Sequence, residues 1–315
     1  MSSPRDIIDV EIPSSKPKIK EGILNKIDDK DYFAIKLVSF SSVIKRILNE
    51  ETYEVAMNEP VEETEAMILG SAIHCAILEP DCFNDRYAVL PKIDLRTTIG
   101  KATKLKFEED NQNKVILNFE QKDIIDEVLK SCNETNLKDE FNKLGLSFKN
   151  MTVKDLINGQ IEKALTFDFQ GLKCKAKIDD FNNYKMLLDV KSTQTFGDKF
   201  AEECIKRFYH AQFAFYEHGL KQLGIFPKDR IVVGVQTKKP YKITLVRFND
   251  FVMEDGLDYC KIGTNIYKDI LKNPLKYKSK ICQNPQGGNI FEAEIPTYMF
   301  YKKDRLEKIL NKGKI

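Results

Sequence analysis

The sequence predicts an α/β domain: a mixed sheet flanked by helices and preceded by an N-terminal helical portion. Three observations predict it. Apolar residues recur at helical spacing in stretches between Ser39 and Leu129, and the period shortens to alternation after Thr166. Beyond that point the order is strand, strand, helix, strand, strand, helix. With 315 residues, 42% of them hydrophobic, the chain can bury a core, which excludes wholesale disorder.

Residues 1–35, rich in Lys, Asp, Pro and Ser with little periodicity, read as a loosely ordered arm ahead of one domain over 36–315. Ser39 to Leu48 opens on serines and turns apolar at helical spacing, a short capped helix. A longer helix runs from about Val61 to Leu78 with Ala66, Leu69, Ile73, Ala76 and Ile77 as its buried stripe, and Pro80 stops it. Pro91 to Lys104 is a polar loop entering a helix, and Glu120 to Leu129 is a further amphipathic helix.

In LKCKAKID, apolar Leu172, Cys174, Ala176 and Ile178 alternate with charged residues, the pattern of a half-buried strand. MLLDVK (186–191) is a short apolar run typical of a central strand. Asp198 to Leu220 reads as one strong helix with Phe200, Cys204, Phe208, Ala211 and Phe215 on its stripe. Strands IVVGV (231–235) and ITLVRF (243–248) and a helix from about Met253 complete the chain.

Fifty Lys and Arg against 48 Asp and Glu give a net charge of +2, which excludes a globally basic nucleic-acid coat. The charge is segregated: residues 261–315 carry 12 basic and 5 acidic side chains, leaving −5 on the preceding 260. Seven scattered cysteines with no C-x-x-C argue for free thiols and against a zinc knuckle or iron–sulfur cluster. No apolar run reaches the roughly 18–20 residues of a membrane span. Asp6, Asp9 and Glu11 are unlike a signal peptide. The expectation is a soluble cytoplasmic protein, bacterial or phage-encoded.

The window from Glu162 to Tyr216 carries the chemistry. Asp179 ends one strand, and Asp189-Val190-Lys191 follows ten residues later at the end of the next. Alternation puts Asp189 and Lys191 on one face, and a hairpin brings Asp179 beside them. Two converging carboxylates make a hard-oxygen site suited to Mg²⁺ or Mn²⁺. The neighbouring lysine can orient a water or offset charge on a phosphate. The bland alternatives are an exposed Asp189–Lys191 ion pair, a satisfied core histidine at His74 and a helix-end charge at Glu162.

D-x₉-D-x-K resembles the PD-(D/E)XK nuclease pattern, with Ile178 where the proline usually stands, and Gln212 with Tyr216 resembles the Q-x-x-x-Y helix of its RecB-like and lambda-exonuclease-like branches. Further segments are similar to RecE-type exonucleases (exodeoxyribonuclease VIII): LGSAIHCAILEPDCF (69–83), LRTTIGK (95–101), GLKCKAKIDD (171–180), YHAQFAFY (209–216) and KPY (239–241). The likeness runs from about Phe40 to Phe300. Gln236 stands where those relatives have Glu, and Tyr298 where they have Trp.

This resemblance implies a restriction-endonuclease-like PD-(D/E)XK core and a Mg²⁺- or Mn²⁺-dependent exodeoxyribonuclease with two ions per site. His74, Asp179, Asp189 and the Val190 carbonyl would be metal ligands, Lys191 the catalytic lysine and Glu162 a supporting acid. Gln212 and Tyr216 would line the DNA side. From phosphate chemistry, Arg96 and Lys101 are either loop solvation or a pocket for a 5′ phosphate, with Ser41 and Ser42 as helpers or helix caps, and Lys173, Lys175 and Lys177 are the wet side of a strand that in a nuclease would also face DNA phosphate. The resemblance also implies double-stranded DNA ends as substrate, degraded 5′ to 3′ to leave a 3′ strand for recombination, a homo-oligomeric ring, and a single-strand annealing recombinase as partner. A RecB-like or restriction-type endonuclease and an inactive DNA-end-binding module are the alternatives.

Overall fold

The computed structural model describes residues 22–23, 27–45, 63–143, 145 and 147–273. Its centre is a mixed sheet with strand order β1-β4-β5-β6-β7-β8. These strands are β1 (Gly22–Ile23), β4 (Gln160–Phe169), β5 (Leu172–Phe181), β6 (Met186–Thr193), β7 (Asp229–Gln236) and β8 (Ile243–Arg247). Every neighbouring pair is antiparallel except β6 with β7. Two short strands, β2 (Tyr87–Val89) and β3 (Val115–Leu117), form a separate parallel pair. At three residues each they are too short for period-2 alternation to register in the sequence.

The helices are α1 (Asp29–Ala34), α2 (Glu65–Leu78), α3 (Phe83–Arg86), α4 (Thr98–Asp110), α5 (Phe119–Glu134), α6 (Lys138–Lys143), α7 (Val153–Leu156), α8 (Asp198–Lys206), α9 (Tyr209–Gln222) and α10 (Asp250–Lys272). Side-chain caps set several of their starts. The Thr64 hydroxyl accepts from Met67 N–H, Thr97 caps α4, and Asn118 with Gln121 forms a reciprocal capping box on α5.

The helices sandwich the sheet. One core holds Phe40, Ile44, Leu165, Phe167, Leu187, Phe200, Phe213 and Phe215, built by α8, α9 and α10. The other holds Ala72, Ile73, Ile125, Val128, Leu188, Val190, Ile231 and Val233, built by α2 and α5. Close approach needs small residues: a Cβ on Gly219 would come within 2.6 Å of the Phe167 ring, and one on Gly234 within 2.3 Å of the Phe200 ring.

Several expectations need correcting. The arm is not loose throughout: β1 pairs with β4, and α1 is a helix capped by Asp28; residues 1–21 lie outside the described residues. The short helix over 39–48 is a π-helical turn at Phe40–Ile44, beyond which residues 46–48 are not described. The buried positions of α2 are Ala72, Ile73, Cys75, Ala76 and Leu78, whereas Ala66 is exposed. Helix 198–220 is two helices broken at Phe208, whose φ of 57° is left-handed. Strand β5 is covered on both faces, with Lys175, Asp179 and Asp180 all buried. Strand β4 escaped the reading because Glu162, Lys163 and Asp168 interrupt its apolar alternation.

Strands β5 and β6 pair only at Asp180–Leu188 and Phe181–Leu187, then part. Val38 takes the vacated edge of β5: its N–H donates to the Lys173 carbonyl at 3.3 Å, and its carbonyl accepts from Lys175 N–H at 2.8 Å. The pleat also changes face here. Ile161 packs against the second core while Leu165 and Phe167, at the same parity of the same strand, lie in the first. Glu162, with φ of 54°, stands at the switch.

Candidate active site

The fork between β5 and β6 is where the charged residues gather. Antiparallel pairing of Asp180 with Leu188 sets Asp179 beside Asp189, as the hairpin reading requires. Helix α2 delivers His74, whose Nε2 stands 2.9 Å from Asp179 Oδ2 and whose Nδ1 lies 3.7 Å from Glu162 Oε1. Asp179 Oδ2 also accepts from the Val190 N–H at 2.7 Å. Glu162 forms an ion pair with Lys177, and Asp189 with Lys191. Gln212 Nε2 donates to Asp189 Oδ1 at 3.2 Å and to the Tyr216 hydroxyl at 2.7 Å.

Three buried carboxylates thus face three cationic groups that are partly exposed, His74 most of all, and the close charges shift their protonation. Burial works against a charged His74, yet the Asp179 carboxylate, by charge and hydrogen bond, and Glu162 raise its pKa to about 9. Burial alone would raise Asp179, but His74, Lys191 and the Val190 amide hold it below the ordinary carboxylate range. Burial and the Asp179 charge push Asp189 up to about 6 against the pull of Lys191. Lys191 is desolvated too, but Asp189 and Asp179 keep it firmly protonated. Burial raises Glu162, helped by Asp179 and opposed by His74 and Lys177.

His74, Glu162 and Asp179 each offer one donor atom, and these atoms lie within 4.8 Å of one another. One imidazole and two carboxylates, with Asp189 alongside, fit a divalent cation of the Mg²⁺ or Mn²⁺ kind.

The structure brings together His74, Glu162, Asp179, Asp189, Val190, Lys191, Lys177, Gln212 and Tyr216. Glu162 is a strand residue of the cluster, so the helix-end alternative falls. Val190 meets Asp179 through its amide N–H. Gln212 and Tyr216 are buried and bonded to Asp189 or to each other, which makes them props of the carboxylate. Lys175 is not aimed at substrate: it is buried and donates to the Tyr32 and Ile35 carbonyls, both at 2.7 Å. Arg96 and Lys101 are exposed at the start of α4, with Arg96 Nε 3.8 Å from Asp94. Tyr298 and the basic segment from residue 274 onward lie outside the described residues.

Two participants escaped the sequence reading. The Tyr209 ring lies 5.2 Å from Lys191 Nζ and 5.3 Å from Lys45 Nζ. Tyr209 opens the YHAQFAFY segment and was legible there, whereas Lys45 carried no signal. A lysine in a mostly apolar helix reads as solvation.

No helix among the described residues is long and apolar enough to cross a membrane. The six described cysteines are free thiols, and Cys282 lies outside the described residues. No curated protein matches the sequence. A crystal structure of a protein from Eubacterium rectale, named "Putative exonuclease", is similar over 88% of this chain and 98% of its own, with a TM-score of 0.56 and 13% identity. At that identity the likeness establishes the fold. A family model, the PDDEXK-like domain of unknown function (DUF3799), matches residues 38–284 and so takes in every residue of the fork cluster. The chain belongs to this PDDEXK-like family, within the PD-(D/E)XK nuclease superfamily.

Proposed function

We propose that the protein is a metal-dependent DNA exonuclease that hydrolyses phosphodiester bonds at double-stranded ends, working 5′ to 3′ and leaving a 3′ single strand for recombination. The observation that carries the reading is the convergence of His74, Glu162 and Asp179 beside the Asp189–Lys191 pair in the fork. The finer terms rest on the resemblance to RecE-type exonucleases. These are the polarity, the preference for ends, a homo-oligomeric ring, a single-strand annealing partner and a pair of Mg²⁺ or Mn²⁺ ions. We take residues 36–315, completed by β1 and α1 from the preceding segment, as one nuclease domain, and a bacterial cytoplasm, of the cell or of an infecting phage, as its setting. Free thiols suit that compartment.

His74, Glu162, Asp179 and Asp189 would hold the cation. When bound, it supplies Lewis-acid polarisation of the phosphate and lowers the pKa of water. The protein's own residues do the rest. Lys191 is kept charged by two carboxylates, so it orients the nucleophile and offsets charge growing on the phosphate. Gln212, bonded to both Asp189 and Tyr216, fixes the rotamer of that carboxylate. Lys177 holds Glu162 toward the cluster. Arg96 and Lys101, free of the buried network, would meet the 5′ phosphate.

The test uses linear duplex DNA labelled at either end, a covalently closed circle, and Mg²⁺ or EDTA. Release of the 5′ label as mononucleotide with Mg²⁺ alone, and an intact circle, is the expected result. Cutting of the circle would move the protein to the endonuclease class. Binding to ends without any cutting would leave a DNA-end-binding module.

A further inference from the structure

Val43 and Ile44 anchor the end of the π-helical turn Phe40–Ile44. Both are buried, and a Cβ on Gly263 of α10 would come within 2.8 Å of the Ile44 side chain. Lys45, the next residue, is placed by these neighbours and is itself half-buried. Its ammonium lies 5.3 Å from the centre of the Tyr209 ring. The Lys191 ammonium stands 5.2 Å from the centre of the same ring. The left-handed turn at Phe208 sets that ring in place, because it makes Tyr209 the first residue of α9.

Two ammoniums that share one ring repel each other, and a carboxylate beside each would offset the repulsion. Lys191 has one, in Asp189. Arg207, two residues before the ring, has another: its Nε lies 2.7 Å from Glu203 Oε1. The second oxygen of Glu203 accepts from the hydroxyls of Thr195 at 2.7 Å and Thr193 at 3.1 Å. The second oxygen of Asp189 accepts from Gln212. Lys45 is paired with no carboxylate among the described residues, and the acids nearest the ring are already engaged. Burial, and after it the Lys191 and Arg207 charges, work against its ammonium, with Asp189 pulling the other way. A half-buried cation in that position is one that a phosphate oxygen would satisfy.

The shared ring also says which phosphate. In the reading above, Lys191 acts on the phosphate under attack, so the anion that Lys45 meets beside the same ring is a neighbour of that phosphate on the same strand. Arg96 and Lys101 are the candidates for the terminal phosphate. That leaves Lys45 the phosphate on the inner side of the scissile bond.

We propose that Lys45, held with Lys191 beside the Tyr209 ring, is a DNA-binding residue that takes the phosphate next to the scissile one, on the part of the strand that stays in the site. This rests on the nuclease reading for the identity of the phosphate, but the binding of DNA by Lys45 does not depend on cutting.

The experiment compares wild type with Lys45→Met and Lys45→Arg in two measurements. The first is equilibrium binding of a short labelled duplex across a range of salt, with EDTA present to hold back hydrolysis. For Lys45→Met the expected result is binding weaker by roughly tenfold. The slope of log K against log salt should become shallower by about 0.7–0.9, the loss of one phosphate contact. Lys45→Arg, which keeps the charge, should restore both. The difference between wild type and Lys45→Met should persist on an end with a 5′ hydroxyl. It should vanish when the inner phosphate is replaced by a neutral methylphosphonate. The second measurement is hydrolysis with Mg²⁺, where Lys45→Met should raise KM by roughly tenfold with kcat within about twofold.

A Lys45→Met protein with wild-type affinity and salt slope would overturn the proposal and leave the nuclease reading intact. So would a difference that disappears on the 5′-hydroxyl end, which would give Lys45 to the terminal phosphate. An equal loss in Lys45→Arg would also overturn it, by making the role one of packing. A wild-type protein that cuts no DNA, yet loses affinity and salt slope on Lys45→Met, would overturn the nuclease reading and support the phosphate site.

Discussion

His74 Nε2 and Asp179 Oδ2, 2.9 Å apart, join the helical layer to the sheet at the mouth of the fork. The proton in that contact is the one an arriving divalent cation must displace. His74 holds it up to about pH 9 because Asp179 and Glu162 outweigh the cost of burial. Cation affinity should therefore rise with pH through neutrality and level off above about 9. Binding at pH 7 should release a proton, measurable by calorimetry in buffers of different ionisation enthalpy. In His74→Ala the proton release should vanish and the affinity fall.

Asp189 and Lys191 test the chemistry itself. Asp189→Asn and Lys191→Ala should each lower kcat for DNA hydrolysis by about 10²–10³-fold. Thermal unfolding of Asp189→Asn should stay close to wild type, since the change removes a buried charge that its surroundings already disfavour. A Lys191→Ala protein cutting at the wild-type rate would remove that lysine from the mechanism.

Gln212→Leu should act through Asp189. It removes the 3.2 Å bond to the carboxylate while leaving the fork's ligands in place. Because props of this sort typically cost roughly tenfold or more, the expectation is a fall in kcat of about that size. Gln212→Glu would add a like charge beside Asp189 and should be worse.

Acid stability is set partly away from the fork. Burial would raise the Glu217 pKa, but bidentate bonds from Arg230, each 2.6 Å, together with Lys221, lower it. A carboxylate depressed in this way contributes stability above its unfolded pKa of about 4.3 and loses it as pH falls through the lower folded value. His210 is depressed by burial despite Asp255, so stability is also lost as pH falls below its unfolded value of about 6.5. In thermal unfolding scanned from pH 8 to 3, the gap between wild type and His210→Phe should change as pH falls below about 6.5, a range in which Asp189 and Asp180, raised to about 6, act in the opposite direction. Arg230→Ala, which strands the buried Glu217, should cost about 3 kcal/mol at neutral pH.

Gly234→Ala should lower thermal stability by about 1–3 kcal/mol, because its Cβ would stand 2.3 Å from the Phe200 ring carbon on α8. Phe200→Leu, which makes room, should recover part of the loss when the two changes are combined.

The sequence made the β5–β6 hairpin and its carboxylates legible because each sits in a short element with a clear period. Asp189 follows an apolar run, and Lys191 shares its face by simple alternation. What it hid was whatever depends on both faces of a strand being covered. Lys175 alternates like a wet-side residue and is buried only because α1 folds over it. Glu162 looked like a loose charge because its left-handed φ breaks the pattern that would have marked a strand. Phe208 likewise fits a continuous helical stripe, and its left-handed turn is a tertiary choice that no local propensity announces.

The reversal of the pleat at Glu162 has a mechanical consequence. Side chains on either side of it belong to different cores, so the strand joins both cores at the site. His74 hangs from the helical layer, while Glu162 and Asp179 are fixed to the sheet. An ion shared among them would rivet the two layers. Occupancy of that joint should then add to the protein's resistance to pulling and to heat.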